Sequence, residues 1–222
     1  MATRQLLAEL VRDFGRSSDQ VISLESVGGV DAVRRVRAGE SFDLVVLAAE
    51  AVDELIADGR VEPGSRVDLA RSVIAVAVRS GAPRPSIASE DAVREAVLGA
   101  RHLSYSTGPS GVHLARLFER WGIAEEVAAR TVQAPPGVPV GTLVAEGQVD
   151  LGFQQLSELM HLPGIDVLGP LPPEIQAVTV FSAGIPRASA RAGELQALLD
   201  FMSSPTADGL KRRHGMEPAA RS

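Results

Sequence analysis

The sequence contains no cysteine, which excludes disulfide bonds, cysteine zinc sites and thiol nucleophiles. It also lacks any apolar run of about 18 residues, the length that a membrane-spanning helix needs. The N-terminal stretch carries Arg4, Glu9, Arg12 and Asp13 where a secretory signal would have an uninterrupted apolar core. We therefore expect no membrane insertion and, for the chain as it stands, a cytoplasmic location. A periplasmic location would need a further segment upstream of Met1.

Basic residues are not in excess, because 22 Lys and Arg face 28 Asp and Glu, a formal net charge of −6. Such a chain has no cationic surplus with which to release counterions from phosphates, so we expect no nucleic-acid partner. Lysine is the scarcest charged residue. The single lysine, Lys211, lies in "GLKRRHG", where we expect it to be exposed at a helix end that favours cations.

Motifs for cofactors and metals are also missing. The chain has neither a Walker A lysine nor a GxGxxG fingerprint, and the serine of "TGPSG" is placed wrongly for a nucleophile elbow. The four histidines show no metal-ligand spacing. We expect no cofactor, no metal and no catalytic residue that can be named from these motifs. The histidines are His102, His113, His161 and His214.

The order of segments predicts an α/β fold. Leu6, Leu10 and Phe14 fall at helical spacing, which predicts an amphipathic first helix. "VISLES" (Val21 to Ser26) alternates as a strand does, and buried apolar runs then alternate with helices, a pattern typical of βαβ units and parallel sheets. Two proline-rich passages, 79–86 and 169–176, bracket a central block. The predicted domains are 1–80 plus 177–222, which is discontinuous, and the inserted 81–176.

The stretch "YSTGPSG" (Tyr105 to Gly111) is the main candidate site. With Gly108 as N-cap and Pro109 as the first helical residue, the N–H groups of Ser110, Gly111 and Val112 would be free donors. The hydroxyls of Ser106, Thr107 and Ser110 would add to them, and Gly108 and Gly111 would let a ligand approach the backbone. Together they predict an anion site at a helix N-terminus. The alternative is a well-capped turn without a ligand.

Two further stretches are candidates for the same ligand. Gly28 and Gly29 join a predicted strand to a helix, and Gln154 and Gln155 end the apolar strand "VDLGF". Loops of this kind would face each other across a cleft if the ligand lies beyond the carboxyl ends of the strands. The alternatives are a tight turn that needs glycine and a solvated strand end.

Three segments resemble the periplasmic molybdate-binding protein family, the solute-binding components of ABC transporters. The segments are "GGVDAVRRVRAGESFDLVVLAAEAVDELIADGRV", "LVAEGQVDLGFQQLSEL" and "LLDFMSSPTADGLKRRHGME". The resemblance implies a type II periplasmic-binding-protein fold, with two α/β domains joined by hinge strands and an anion held in the cleft between them. It also implies an ABC permease as a possible partner.

The sequence departs from that family at three places. Gly28 and Gly29 stand where the family usually has serines, Gln155 stands where it often has a tyrosine, and the chain begins on the first helix, whereas the family has a strand before it. The first two departures remove hydroxyl ligands of the molybdate type. Bacterial aconitate isomerases resemble the same family, so the alternative to a solute-binding protein is a cytosolic isomerase of a small unsaturated carboxylic acid.

Overall fold

A computed structural model describes residues 1–135 and 137–220. Pro136, which belongs to the predicted inserted domain, lies outside the described residues. The chain forms two compact units. Unit 1 consists of Met1–Ser72 and Thr179–Ser222, and unit 2 is Val73–Val178. The predicted domains change at 80/81 and 176/177, whereas the two units change at 72/73 and 178/179.

The secondary structure alternates between helices and strands through most of the chain. The elements of the first half are α1 (Arg4–Phe14), α2 (Gly29–Arg37), β1 (Val45–Ala48), α3 (Ala49–Ala57), β2 (Val67–Arg79), α4 (Glu90–Gly99), β3 (Leu103–Tyr105) and α5 (Pro109–Arg120). Those of the second half are α6 (Ala124–Ala128), α7 (Val140–Ala145), β4 (Leu151–Gln155), α8 (Leu156–Leu159), β5 (Ile165–Pro170), β6 (Val178–Gly184), α9 (Gln196–Ser203), α10 (Asp208–Arg213) and β7 (Glu217–Pro218). Short 3₁₀ helices span Pro173–Ile175, Ala192–Glu194 and Pro205–Ala207.

Unit 1 has a sheet with α1 packed against it. β6 lies between β1 and the first part of β2, and β7 pairs with β2. The helix predicted from the N-terminal apolar spacing is confirmed as α1, and its Leu6, Leu10 and Phe14 are buried in one core cluster with Leu69 and Leu199. The apolar stripe is therefore explained by the core of unit 1.

The strand predicted at Val21–Ser26 is wrong. The segment carries no strand assignment, and Val21 is 88% exposed. Alternating apolar residues form a strand only where a neighbour supplies backbone hydrogen-bond partners, and no strand of the described residues pairs with this segment. Alternation alone was therefore an insufficient signal.

The expected exposure of Lys211 is also wrong, because its side chain is 1% exposed. Lys211, Arg212 and Arg213 are consecutive on α10, and successive residues of a helix point about 100° apart. Lys211 is the one of these three residues whose side chain points towards the core, which contains Leu210 and Met216. Asp208 lies 3.7 Å from the Lys211 ammonium group and supplies the opposite charge that a buried cation needs.

Unit 2 has a mixed sheet with helices on both faces. β4 pairs in parallel with β3 and antiparallel with β2, which also pairs antiparallel with β5. The expected parallel arrangement is thus limited, within the described sheets, to β3 and β4. One face packs Leu103 and Phe153 against Leu114 and Phe118 of α5.

The other face of this sheet is covered by α7 and α8. A side chain at Gly152 would meet Val144 Cγ2 at 2.5 Å, so α7 packs directly on the backbone of β4. Leu156 and Leu159 of α8 pack on Ala75 and Ala77 of β2. None of the helices in the described part of the chain has the length and hydropathy that a membrane span requires.

Candidate anion-binding site

The main candidate site begins where β3 ends. α5 starts at Pro109 with Gly108 as its N-cap, as predicted, and Gly108 has extended backbone angles of φ −85° and ψ −164°. α5 has 12 residues, long enough to present the partial positive charge of a helix N-terminus. Its first turn carries no acidic residue that would offset this charge.

Two of the three predicted hydroxyls lie in contact. The Oγ atoms of Ser106 and Ser110 are 2.7 Å apart, and Ser106 Oγ accepts a hydrogen bond from the Gly108 N–H at 3.3 Å. Ser110 is 1% exposed, whereas Thr107 is exposed. The loop therefore holds a fixed pair of hydroxyls at the start of α5.

The prediction of three free backbone donors is wrong for two of them. The N–H groups of Gly111 and Val112 both donate to the Gly108 carbonyl, at 3.0 and 3.1 Å. The extended conformation of Gly108 places its carbonyl under the first turn, where it accepts these bonds. The Ser110 N–H has no hydrogen-bond partner within residues 1–135 and 137–220, so one free amide remains beside the hydroxyl pair.

The two glycines of this loop have different roles. A Cβ atom at Gly111 would lie 1.5 Å from the Ser106 carbonyl oxygen and 3.2 Å from the Tyr105 ring. Gly111 is therefore explained by the close packing of α5 on the loop. A Cβ at Gly108 would meet only Ser106 Oγ at 3.8 Å, an ordinary contact, and its φ suits any residue.

Gln154 and Gln155 lie at the same edge of the sheet. In the parallel pairing Tyr105 lies opposite Phe153. Ser106 and Gln154 are the residues that follow these two, so they lie at the same end of the neighbouring strands β3 and β4. Both glutamines are buried, at 4% and 2% exposure.

The amide group of Gln154 is engaged inside unit 2. Its Oε1 accepts from the Val140 N–H at 2.9 Å, where α7 begins. Alternation along β4 places Gln155 on the other face, with Leu151 and Phe153, which pack against α5. Gln155 therefore shares its face of the sheet with α5, whereas Gln154 supports the start of α7.

Glu158 was missed by the sequence reasoning. It lies on α8 and is half-buried, and burial raises its pKa even though a nearby positive charge and the Gln154 side chain both act to lower it. The spacing of four residues between Gln154 and Glu158, across a strand end, was the available signal. It carries little information without the fold, because a glutamate at such a spacing is common.

Gly28 and Gly29 lie in unit 1, at the N-terminus of α2. Gly28 is the N-cap with φ −61° and ψ 146°, and its carbonyl accepts from the Ala32 N–H at 2.9 Å. A Cβ at either glycine meets nothing within 4 Å, and neither has a positive φ. The turn itself therefore does not require glycine at either position. The prediction that they contact a ligand stays a prediction.

The described residues, 1–135 and 137–220, contain no group of three or more His, Asp or Glu side chains arranged to hold a metal ion. The donors at the start of α5 are a backbone amide and hydroxyls, which are groups that bind anions.

Residues 1–217 match the family of bacterial extracellular solute-binding proteins. The chain belongs to this family. A relative of this solute-binding protein is the aconitate isomerase of a Pseudomonas species, which is 40% identical over 185 residues, covering 83% of this chain and 70% of that protein.

Solved structures agree with the fold. The periplasmic molybdate-binding protein of Azotobacter vinelandii superposes with a TM-score of 0.81 at 20% identity, over 100% of this chain and 96% of that chain. The tungstate-binding protein of Desulfovibrio alaskensis gives a TM-score of 0.68 at 15% identity, over 97% and 94% of the two chains. The α/β periplasmic-binding-protein fold expected from the sequence is confirmed. Identities this low show the fold and not the ligand.

Proposed function

We propose that this solute-binding protein binds a small polycarboxylate anion at the start of α5. The observation that carries the proposal is the hydroxyl pair of Ser106 and Ser110 beside the free Ser110 N–H, at the positive end of a 12-residue helix. A carboxylate oxygen accepts several hydrogen bonds, and charge-assisted bonds of this kind are stronger than neutral ones. Gln155, on the face packed against α5, adds a neutral amide.

A carboxylate is favoured over a metal oxyanion by the comparison of relatives. The aconitate isomerase is 40% identical to this chain, whereas the molybdate-binding protein is 20% identical. Aconitate is a small unsaturated tricarboxylate. Ligands of this type match a site made of hydroxyls and a backbone amide, since each carboxylate can be held by neutral donors.

A second candidate function is isomerisation of such an unsaturated polycarboxylate. It is favoured by the same 40% identical relative and by a half-buried carboxyl at this edge of unit 2, that of Glu158, whose pKa is raised by burial. Moving a double bond requires a group that accepts and returns a proton, and a carboxylate with a raised pKa is a stronger base than an ordinary one.

Thermal shift and isothermal titration test the binding proposal. The ligands are cis-aconitate, trans-aconitate, citrate, molybdate, tungstate and sulfate. The proposal expects saturable binding of at least one tricarboxylate and none of molybdate at equal concentration. Tight molybdate binding without tricarboxylate binding would contradict it. Proton NMR of cis- or trans-aconitate incubated with the protein then tests isomerisation.

The partner and the location remain predictions. Two solved structures of similar fold come from ABC transporter binding proteins, which is compatible with an ABC permease as partner. We propose no specific permease, and a cytoplasmic location is proposed only for the chain as it stands. Fractionation of cells that express the natural gene tests the location.

A further inference from the structure

His113 lies on α5, three residues after Ser110. Residues three apart on a helix are neighbours, with Cβ atoms about 5–6 Å apart, and helical side chains lean towards the helix N-terminus. The half-buried His113 side chain therefore extends towards the end of α5 where the hydroxyls of Ser106 and Ser110 are in contact. An imidazole thus lies beside the donors that we propose to hold the anion.

One hydrogen bond fixes where the neutral imidazole of His113 carries its proton. Its Nε2 atom lies 2.8 Å from the Ile175 carbonyl oxygen. A carbonyl oxygen only accepts hydrogen bonds, so Nε2 carries the hydrogen and donates it, and Nδ1 keeps a free electron pair. Within residues 1–135 and 137–220 Nδ1 has no hydrogen-bond partner, and it is not enclosed by the protein. The ring therefore presents a base to its surroundings.

The carbonyl that orients His113 belongs to a rigid segment of unit 2. The Ile175 side chain is 2% exposed and packs in the same core cluster as Leu114 of α5. The next residue, Gln176, accepts from the Ile74 N–H at 2.9 Å and donates to the Ile74 carbonyl at 3.0 Å through its side-chain amide. A base held by a fixed partner is the arrangement that efficient proton transfer requires.

His113 suits proton transfer to and from an anionic ligand better than a carboxylate such as Glu158 does. Glu158 lies on α8, which follows the neighbouring strand β4, whereas His113 lies on the helix that carries Ser110. A neutral imidazole does not repel a bound anion, but a carboxylate does. After it has taken a proton, an imidazole is positively charged and stabilises the negative charge that develops on the substrate.

We propose that Nδ1 of His113 is the acid–base group that moves a proton along the three-carbon unit of an unsaturated polycarboxylate. The Ile175 carbonyl is the group that positions it. This inference rests on the isomerase function proposed above. Nδ1 takes a proton from the CH₂ next to the double bond, so that one C–H bond breaks and one N–H bond forms. The released electron pair spreads over the allylic carbons and the adjacent carboxylates.

The His113 imidazolium then returns the proton to the former vinylic carbon. The N–H bond at Nδ1 breaks, one C–H bond forms, the double bond has moved by one position, and the neutral imidazole is regenerated. Nothing is oxidised or reduced, so no further reactant is needed. The Ser110 N–H and the hydroxyls of Ser106 and Ser110 stabilise the negative charge that develops on a bound carboxylate.

Two substitutions separate the base from the hydrogen bond to Ile175. In His113→Gln the side-chain amide reaches the place of Nε2 and still donates to the Ile175 carbonyl, whereas in His113→Asn the amide takes the place of Nδ1 and that bond is lost. Neither amide is a base. His113→Ala leaves space for added imidazole, and His102→Gln is the matched control, because His102 is an exposed histidine of the same unit.

The test measures isomerisation and deuterium uptake together. Wild type and the variants are incubated with trans-aconitate in D₂O and followed by proton NMR, while isothermal titration measures binding and thermal unfolding verifies folding. His113→Gln should lower the isomerisation rate and the deuterium uptake by about 100-fold or more, with little change in the Kd for trans-aconitate. His113→Asn should lose at least as much in rate. Added imidazole should restore part of the rate to His113→Ala, and His102→Gln should match wild type.

The isomerase function and the His113 assignment fail in different ways. If wild type binds aconitate but neither isomerises it nor exchanges its protons, the isomerase function is wrong and the role of His113 falls with it. If wild type is active and His113→Gln is equally active, only the assignment is wrong, and His113 merely links α5 to Ile175. Should His113→Gln not fold, His113→Ala decides, since a rate equal to wild type, or a lost rate that imidazole does not restore, contradicts the assignment.

Discussion

Replacement of Gly111 by alanine tests how the candidate site is built. A Cβ at this position would lie 1.5 Å from the Ser106 carbonyl oxygen and 2.6 Å from its carbonyl carbon. Non-bonded contacts of this kind are no shorter than about 3 Å, so the loop or α5 must move by roughly 1.5 Å. The obstacle is backbone, which cannot turn away as a flexible side chain does.

Overpacking of a well-packed site costs typically about 1–3 kcal/mol, and more when the backbone must move. We expect Gly111→Ala to lower the free energy of unfolding of unit 2 by about 3 kcal/mol. The shift also separates Ser106 from Ser110, now 2.7 Å apart, so polycarboxylate binding should be lost or strongly weakened.

The matched control is Gly108→Ala in the same loop. The added methyl group meets only Ser106 Oγ at 3.8 Å, and φ −85° suits alanine. We expect a loss of about 1 kcal/mol or less, since glycine is a moderately better N-cap than alanine.

Urea unfolding followed by tryptophan fluorescence measures both variants. The chain has one tryptophan, Trp121, which follows α5 and packs on Phe118 with ring centroids 5.9 Å apart. Its signal therefore reports on unit 2. Equal unfolding midpoints and equal ligand affinity for Gly111→Ala and wild type would refute the packing account.

Two further predictions concern the same unit. Ser106→Ala removes one member of the hydroxyl pair and should weaken polycarboxylate binding about 10- to 100-fold, because a hydrogen bond to a charged group contributes that much to affinity. Titration calorimetry measures the change in Kd. An unchanged Kd would show that this hydroxyl does not contact the ligand. Asp150 accepts hydrogen bonds from the Arg101 side chain and N–H at 3.0 and 2.9 Å, and these bonds hold its pKa below the usual range. The stabilisation is therefore present above the unfolded-state pKa of about 3.9 and is lost as pH falls through the lower folded-state pKa. Asp150→Asn should flatten the decline of the urea midpoint in acid, and an unaltered acid profile would contradict this.

The sequence predicted those features that depend on local spacing and capping. The apolar spacing of α1 and the Gly108-Pro109 start of α5 are local signals, and both are confirmed. The strand at Val21–Ser26 failed because strand formation depends on a partner that the sequence does not display. The burial of Lys211 could not be predicted either, because it depends on which side of α10 packs against the core.

The candidate site was predicted only in part, because hydrogen-bond partners are set by three-dimensional geometry. The sequence located the donors at the start of α5 but could not show that the Gly108 carbonyl takes two of them. It also could not show which helix covers each glutamine, although alternation places Gln154 and Gln155 on opposite faces of β4. Glu158 emerged only from its burial in the fold, which raises its pKa.

Binding of a small polycarboxylate at the start of α5 can be measured by isothermal titration of the wild-type protein with cis-aconitate, repeated in the presence of excess molybdate. We expect saturable binding of one tricarboxylate per chain that molybdate does not displace. No heat of binding with cis-aconitate, together with a saturable titration by molybdate alone, would contradict it.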